Sequence, residues 1–510
     1  MPNKALLYHE RTKHRFTGYA KGPDTLDWDM QPNPFRSYDG AARIDLPLAP
    51  NEASRALLNR DAVGALLHLA MGLSAWKEFG PDRWALRCNP SSGNLHPTET
   101  YVVAEGVDGL DDGLYHYLSR DHVLEQRRRD ESRQGSDRPR LWLGLSSIHW
   151  REAWKYGERA FRYCQLDLGH ALGAIAYAAG ALGLGARLVD GLHSDRIGAL
   201  LGLDRAEDFG RAEHEDPDAI VEILTGSEAA APPPERTGVW TGKANLLDRR
   251  PMYRWPVIDE VAEATRGTIA ADPTFAPQES RRAAPDADLI LQRRSAQHFD
   301  AGHVMPAGDF FAILQSLSLQ GQAPWTIWDF APRVHPILFV HRVEGVEPGL
   351  YALPRSPDAV ALLRQSLDPD FVWSRVAGAP DELPLFQLRI GDARGAARRL
   401  FCNQAIASDC CFGAALLAEF DSVEHTPWAY RRLHWEAGLI GQALYLEAER
   451  CRLRGTGVGC FFDDETHTFL GLKTTVLQTV YHFTVGAPLN DSRIATAPAY
   501  PDKQRATAFP

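Results

Sequence analysis

Apolar and polar residues alternate along this chain with two different periods, and the same order of periods occurs twice. After His96-Pro97 the run TETYVVAEGVDGLDDGLYHY gives an apolar segment, a turn, and a second short segment through Gly113-Leu114-Tyr115. After His335-Pro336 the run ILFVHRVEGVEPGLYAL repeats that pattern, with Gly349-Leu350-Tyr351 in the same place. Both predict a strand, a turn and a strand. A helical pattern ending in glycines follows in each copy, over residues 167–188 and 436–461. Next comes a short helix closing on Leu-Gly-Leu, at 201–203 and at 470–472. Each copy then ends in a β-rich run, 219–226 and 480–486. Four matched elements in one order identify a tandem duplication.

The same comparison places the boundary. After Gly226 the chain reads SEAAAPPPERTG, where three prolines block helix and central strand and favour an extended linker. The expected organisation is a first domain over 1–228, a linker over 229–285 and a second domain over 286–510. One short helical piece is predicted in the linker, near 256–265.

Composition narrows the function classes. With 55 Lys+Arg against 66 Asp+Glu the net charge is −11, which argues against nucleic acid as the main partner. The tight basic run Arg127-Arg128-Arg129 precedes Asp130, Glu131 and Ser132, and reads as a solvated loop. Seven cysteines without CxxC spacing make neither a disulfide framework nor a zinc site. No metal is expected. Cys460, beside the second glycine run, reads as a core residue. The N-terminus lacks the apolar core of a signal peptide. Residues 168–186 are strongly apolar but hold five glycines and a histidine, which fits a buried core helix. A cytoplasmic location without membrane or nucleic-acid partners is the expectation.

Four motifs carry candidate chemistry. In LILQRRSAQHFD, Arg293, Arg294 and Ser295 offer two cations and a hydroxyl that suit a phosphate, although an Arg-Arg pair is commonly plain surface. The first copy has ERTKHRF in that role, with Arg11-Thr12 in place of Arg294-Ser295. The second motif, Asn89-Pro90-Ser91-Ser92-Gly93-Asn94-Leu95-His96-Pro97, is a polar turn that can present backbone groups and an amide to a flat heterocycle. Its aligned stretch, Phe330-Ala331-Pro332-Arg333-Val334, has lost the serines and the asparagine. The third is the pair of glycine-rich helix ends, Gly183-Leu184-Gly185 and Gly455-Thr456-Gly457-Val458-Gly459. They follow helices, so no dinucleotide fingerprint is supported; helix capping and close backbone approach to a ligand are both open. The fourth is Trp154-Lys155-Tyr156-Gly157, in which Lys155 and Tyr156 could exchange protons in a suitable pocket. The bland alternative is one buried tyrosine and one solvated lysine.

Taken together, RRSAQHF, PSSGNLHP and GTGVG resemble the nitroreductase family of FMN-dependent oxidoreductases. NPSSGNLHPTETYVV, GLYHY and WKYGERAFRY are similar to its azoline oxidase branch, which acts in thiazole and oxazole peptide maturation. The resemblance implies an α+β fold: two tandem domains, each a mixed sheet flanked by helices, paired as an intramolecular pseudo-dimer. It also implies non-covalent FMN, with phosphate roles for Arg293, Ser295 and Arg493 and a helper role for Arg294. Gln297 stands where the family usually has Arg or Lys. By the same resemblance Pro90, Ser91, Ser92 and Asn94 would contact the ribityl chain and ring, and Gly457, Val458 and Gly459 would lie by N5. Lys155 and Tyr156 match the Lys-Tyr pair of the azoline oxidases and would be catalytic.

The two copies have lost complementary motifs, so the expectation is one composite FMN site, about one FMN per chain, in a pseudo-dimeric monomer. Three functions follow as alternatives. One is an FMN oxidoreductase moving a hydride between flavin N5 and a small or peptide-derived substrate, with NAD(P)H a candidate electron donor. Another is an azoline dehydrogenase. The last, from a different class, is a flavin-free scaffold or peptide-binding protein with decayed sites.

Overall fold

The computed structural model describes residues 3–50, 57–131, 138–226, 229–270, 272, 286–318, 322–503 and 505. The part of the expected linker over 273–285 therefore lies outside the described residues, as do 227 and 228 at the expected boundary. The chain divides into two compact units made of interleaved segments. A first-copy unit comprises residues 22–292, 321–330 and 493–510; a second-copy unit comprises 1–21, 293–320 and 331–492.

The duplication is written into the strand order. In the first-copy unit, β1 (Thr98–Glu105), β2 (Gly113–Leu118), β3 (Val123–Asp130), β4 (Arg140–Ser147), β5 (Gly185–Leu188) and β6 (Asp216–Leu224) lie side by side as β3-β2-β1-β4-β6-β5. In the second-copy unit, β7 (Val334–Val340), β8 (Gly349–Ala352), β9 (Phe386–Ile390), β10 (Phe412–Glu419), β11 (Arg454–Val458) and β12 (Leu477–Gly486) lie as β9-β8-β7-β10-β12-β11. The permutation is the same. Neighbouring strands in these ladders all run antiparallel, so the sheets are not the mixed ones expected. The hairpins β1-β2-β3 and β7-β8 impose that direction on the strands they join.

Local chemistry repeats with the topology. In both copies the Gly-Leu-Tyr strand shifts register between its Leu and its Tyr, at Leu114/Tyr115 and at Leu350/Tyr351. A Cβ on Gly113 would fall 2.1 Å from the Arg128 carbonyl oxygen, and one on Gly349 would fall 2.1 Å from that of Arg389. Only glycine permits this approach of strand to strand. Both tyrosine hydroxyls then donate to a backbone carbonyl four residues upstream, Asp111 and Glu347.

Four helices position the candidate residues: α1 (Lys4–Arg11), α2 (His149–Tyr156), α3 (Ala160–Ala181) and α4 (Ala429–Arg450). α3 is buried along almost its whole length, as the apolar pattern over 168–186 predicts, although it stops at Ala181 and residues 185–188 form β5. Gly183, at φ 66°, makes the left-handed turn that ends it. The short helix expected in the linker is present as Pro256–Ala264. Among the described residues no helix is long and apolar enough to cross a membrane.

The structure corrects the reading of the basic run and closes one of the two readings of the second glycine run. Arg127-Arg128-Arg129 is no solvated loop: it lies in β3, with Arg127 and Arg128 buried. Arg127 reaches Asp208 at 2.9 Å and stacks 3.9 Å from the centre of the Tyr38 ring. Arg128 pairs with Asp130 at 2.7 Å, so each buried cation has an anion to offset its desolvation. The run Gly455–Gly459 is not a helix cap. α4 is closed by the left-handed Arg452 (φ 58°), and residues 454–458 form strand β11 against β12.

The chain termini change partners. α1, from the start of the first copy, belongs to the second-copy unit. Asn3 caps it by accepting from the Ala5 and Leu6 amides and donates 2.7 Å to the Val423 carbonyl. Lys13 pairs with Asp464 at 2.8 Å, and the His14 amide donates to Asp463 at 2.9 Å. Conversely, the C-terminal segment Ala495–Ala497 adds an antiparallel strand to Leu73–Phe79 of the first-copy unit. The Tyr500 hydroxyl there donates to the Ser119 carbonyl and accepts from the Leu73 amide.

Candidate functional site

In the first-copy unit the loop 89–97 connects strand Asp82–Arg87 to β1 and is folded by its own polar side chains. The His96 amide donates to Ser91 Oγ at 2.8 Å. Asn94 Nδ2 donates to the Ala85 carbonyl at 2.9 Å. Three left-handed residues in four, Gly93 (φ 57°), Asn94 (φ 61°) and His96 (φ 53°), turn the backbone tightly, and two of them are not glycine. Such strain persists only where neighbours hold it. Here the hold comes from α3: the Ser92 amide donates to both carboxylate oxygens of Asp167, at 3.0 and 3.1 Å, and Ser92 Oγ donates to Oδ1 at 2.9 Å. Pro90 is buried, while Ser91, Ser92 and Asn94 are half-buried.

Lys155 and Tyr156 close α2 and converge on this loop. A Cβ on Gly93 would lie 2.6 Å from the Tyr156 hydroxyl and 3.1 Å from Lys155 Nζ. Both side chains are half-buried, so the split into a buried tyrosine and a solvated lysine does not describe them. Lys155 Nζ also sits 5.2 Å from the Trp28 ring and 5.3 Å from that of Tyr156, within cation–π range. The Tyr156 and Tyr163 rings pack at 4.4 Å.

Burial dominates the electrostatics of this cluster. Burial raises the Asp167 carboxyl to about 7, against the opposing hydrogen bonds of Ser91 and Ser92. Glu152, one turn before Lys155 on α2 and fully buried, is pushed far above the usual carboxyl range by burial and then by the charge of Asp167. Burial draws the Lys155 ammonium below its usual value, with Glu152 opposing. Two buried acids and one depressed amine thus share one neighbourhood. Neither Glu152 nor Asp167 is among the candidate residues that the sequence motifs give. Their signals were present: Glu152 lies three residues before Lys155, and Asp167 is an acid within an apolar helix.

In the second-copy unit the Arg293–Gln297 segment runs alongside β11. Ser295 and Gly455 form a parallel bridge, the Ala296 amide donates to the Gly455 carbonyl at 3.1 Å, and Thr456 Oγ1 donates to the Ala296 carbonyl at 2.6 Å. Tyr445 of α4 ties the pieces together. Its hydroxyl lies 2.9 Å from Ser295 Oγ and accepts from the Gly457 amide at 3.0 Å, while the Arg293 guanidinium sits 4.9 Å from its ring. A Cβ on Gly455 would meet Phe483 at 2.6 Å, and one on Gly457 would meet the Tyr481 hydroxyl at 1.7 Å. Both glycines are therefore required by close approach. Val458 ends the strand buried, and Gly459 follows it half-buried.

The structure thus gathers Arg293, Arg294, Ser295, Gln297, Gly457, Val458 and Gly459 in one unit, and Pro90, Ser91, Ser92, Asn94, Lys155 and Tyr156 in the other. Arg493, expected beside Arg293 and Ser295, belongs with the latter set, its guanidinium 5.6 Å from the Phe79 ring. Two guanidinium groups and the exposed Ser295 and Gln297 side chains offer the charge and donors a phosphate monoester takes. Among the described residues no group of three His, Cys, Asp or Glu is placed to hold a metal.

Comparison with known proteins agrees with this architecture. The nitroreductase family profile matches residues 58–210, which hold the PSSGN loop, β1, α2 and α3. The chain carries a nitroreductase-family domain. A candidate nitroreductase of Methanocaldococcus jannaschii is 26% identical over 131 residues, which is 24% of this chain and 66% of that protein. A crystal structure of a candidate nitroreductase from Anabaena variabilis superposes with a TM-score of 0.72 at 23% identity, covering 96% of this chain and all of that one. The nitroreductase-like fold therefore extends through both copies. A candidate nitroreductase from Ralstonia eutropha aligns at a TM-score of 0.28 and 14% identity, over 43% of this chain and 90% of that one.

Proposed function

We propose that this protein is an FMN-dependent oxidoreductase in which Lys155 and Tyr156 manage protons for the substrate. The convergence of Lys155 Nζ and the Tyr156 hydroxyl on Gly93 carries the reading, because it puts two titratable groups against the PSSGN loop. FMN, when bound, would supply the hydride chemistry at N5. Arg293, Arg294 and Ser295 would hold its phosphate, with Gln297 at their edge. Ser91, Ser92 and Asn94 would shape the loop that meets the ribityl chain and ring, with Asp167 fixing Ser92. Gly457 turns its amide to Tyr445, so its part would be to keep the strand thin enough for close approach.

The same pair bears on the choice of substrate. A half-buried lysine and tyrosine favour an azoline ring of a modified peptide over a nitroaromatic, because aromatising the ring removes a carbon-bound proton along with the hydride. Denaturing the purified protein and chromatographing the supernatant tests the cofactor. Co-elution with FMN is expected; FAD would overturn FMN as the cofactor, and no flavin after reconstitution with excess FMN would leave a flavin-free binding protein. Turnover of a thiazoline peptide against a nitroaromatic with NAD(P)H then separates the two enzymatic readings.

A further inference from the structure

Cys460, which the sequence marks as a core residue, is half-exposed and faces Cys402 in the second-copy unit, their sulfurs 2.6 Å apart. The contact is built by the backbone. The Phe462 amide donates to the Leu400 carbonyl at 2.9 Å. On the other side, Gln404 Nε2 donates to both the Phe401 and the Cys460 carbonyls, at 2.9 and 3.3 Å. Hydrogen bonds thus bracket the two thiols and hold their segments in register. Cys402 and Asn403 are both left-handed, at φ 54° and 58°, although neither is glycine. Residues in that region persist where the surroundings fix them, and they cluster at functional positions. The remaining cysteines differ in setting: Cys88, Cys164, Cys410 and Cys411 are buried, and Cys451 is half-exposed.

We propose that Cys402 and Cys460 form a reversible dithiol–disulfide couple, a redox modification site beside the glycine strand β11. The electron acceptor is a low-molecular-weight disulfide. One cysteine thiolate attacks a sulfur of that disulfide and expels one small thiolate; the other cysteine attacks the protein sulfur of the mixed disulfide and expels the second. One S–S bond is broken and one is made, and two electrons and two protons pass from the pair to the two small thiols. The protein bond links cysteines 58 positions apart and ties the residue after Gly459 to the segment before β10. The inference stands on the cysteine geometry and does not require bound flavin.

The test uses the full-length protein and oxidised glutathione. After incubation, free thiols are alkylated and the unreduced protein is digested and analysed by mass spectrometry. A Cys402–Cys460 linked peptide, two hydrogens lighter than the two thiol peptides together, should dominate. The thiols of Cys402 and Cys460 should both be lost to alkylation, and excess dithiothreitol should restore them. Cys402→Ser and Cys460→Ser should each abolish the link and leave the partner cysteine as a glutathione adduct. Cys451 is the internal control. If Cys402 and Cys460 are recovered separately alkylated while Cys451 is glutathionylated, or if either links to another cysteine, the proposal is overturned.

Discussion

Asp167→Asn is the substitution that most directly tests the electrostatics around the PSSGN loop. Asp167 is buried, and burial lifts its carboxyl from the ordinary aspartate value to about 7. The folded state therefore binds its proton more tightly than the unfolded state does. This group's contribution is fully present below the unfolded value near 3.8 and is lost as pH rises through 7. A shift of this size is worth about 4 kcal/mol in total, of which roughly 2–3 kcal/mol is lost between pH 5 and pH 8. Asparagine keeps an oxygen to accept from Ser92 and does not titrate. Its effect on hydrogen bonding is the same at both pH values and cancels in the comparison. Urea unfolding of wild type and Asp167→Asn, followed by tryptophan fluorescence and by circular dichroism, should therefore show the variant gaining about 2–3 kcal/mol on wild type from pH 5 to pH 8. If the two proteins have the same pH dependence to within about 0.5 kcal/mol, Asp167 is ionised throughout and the raised carboxyl is refuted.

Lys155→Ala and Tyr156→Phe should retain flavin content and melting temperature while lowering turnover of the natural substrate by about 10²–10⁴, the usual weight of a general acid or base; full turnover in both would return the pair to packing. Because burial depresses the Lys155 ammonium, the limb of the pH–rate profile that Lys155→Ala removes should lie below the ordinary lysine range. Gly457→Ala, whose Cβ would meet the Tyr481 hydroxyl at 1.7 Å, should cost about 1–3 kcal/mol of stability, measured by the same urea titration. The complementary motifs of the two copies predict about one FMN per chain by absorbance after release, and a value near two would refute that reading.

Sequence by itself determined the duplication, four matched elements in each copy and the buried long helix. These are local: period, turn residues and spacing are set by neighbours a few positions apart. The tertiary structure alone decided which unit each terminus joins, since α1 and the 495–500 segment pack against residues more than 400 positions away. It also decided the burial of Arg127, which depends on Asp208 and Tyr38 rather than on its own basic run. The Cys402–Cys460 contact spans 58 residues with no spacing motif to announce it. Lys155 and Tyr156 point about 100° apart on an ideal helix, and that geometry disfavours a joint role. What reconciles them is the left-handed loop at Gly93, at the very end of α2, where both groups reach the same few ångströms of backbone. Packing, which sums weak contacts between distant segments, selects among arrangements that local pattern leaves equally acceptable.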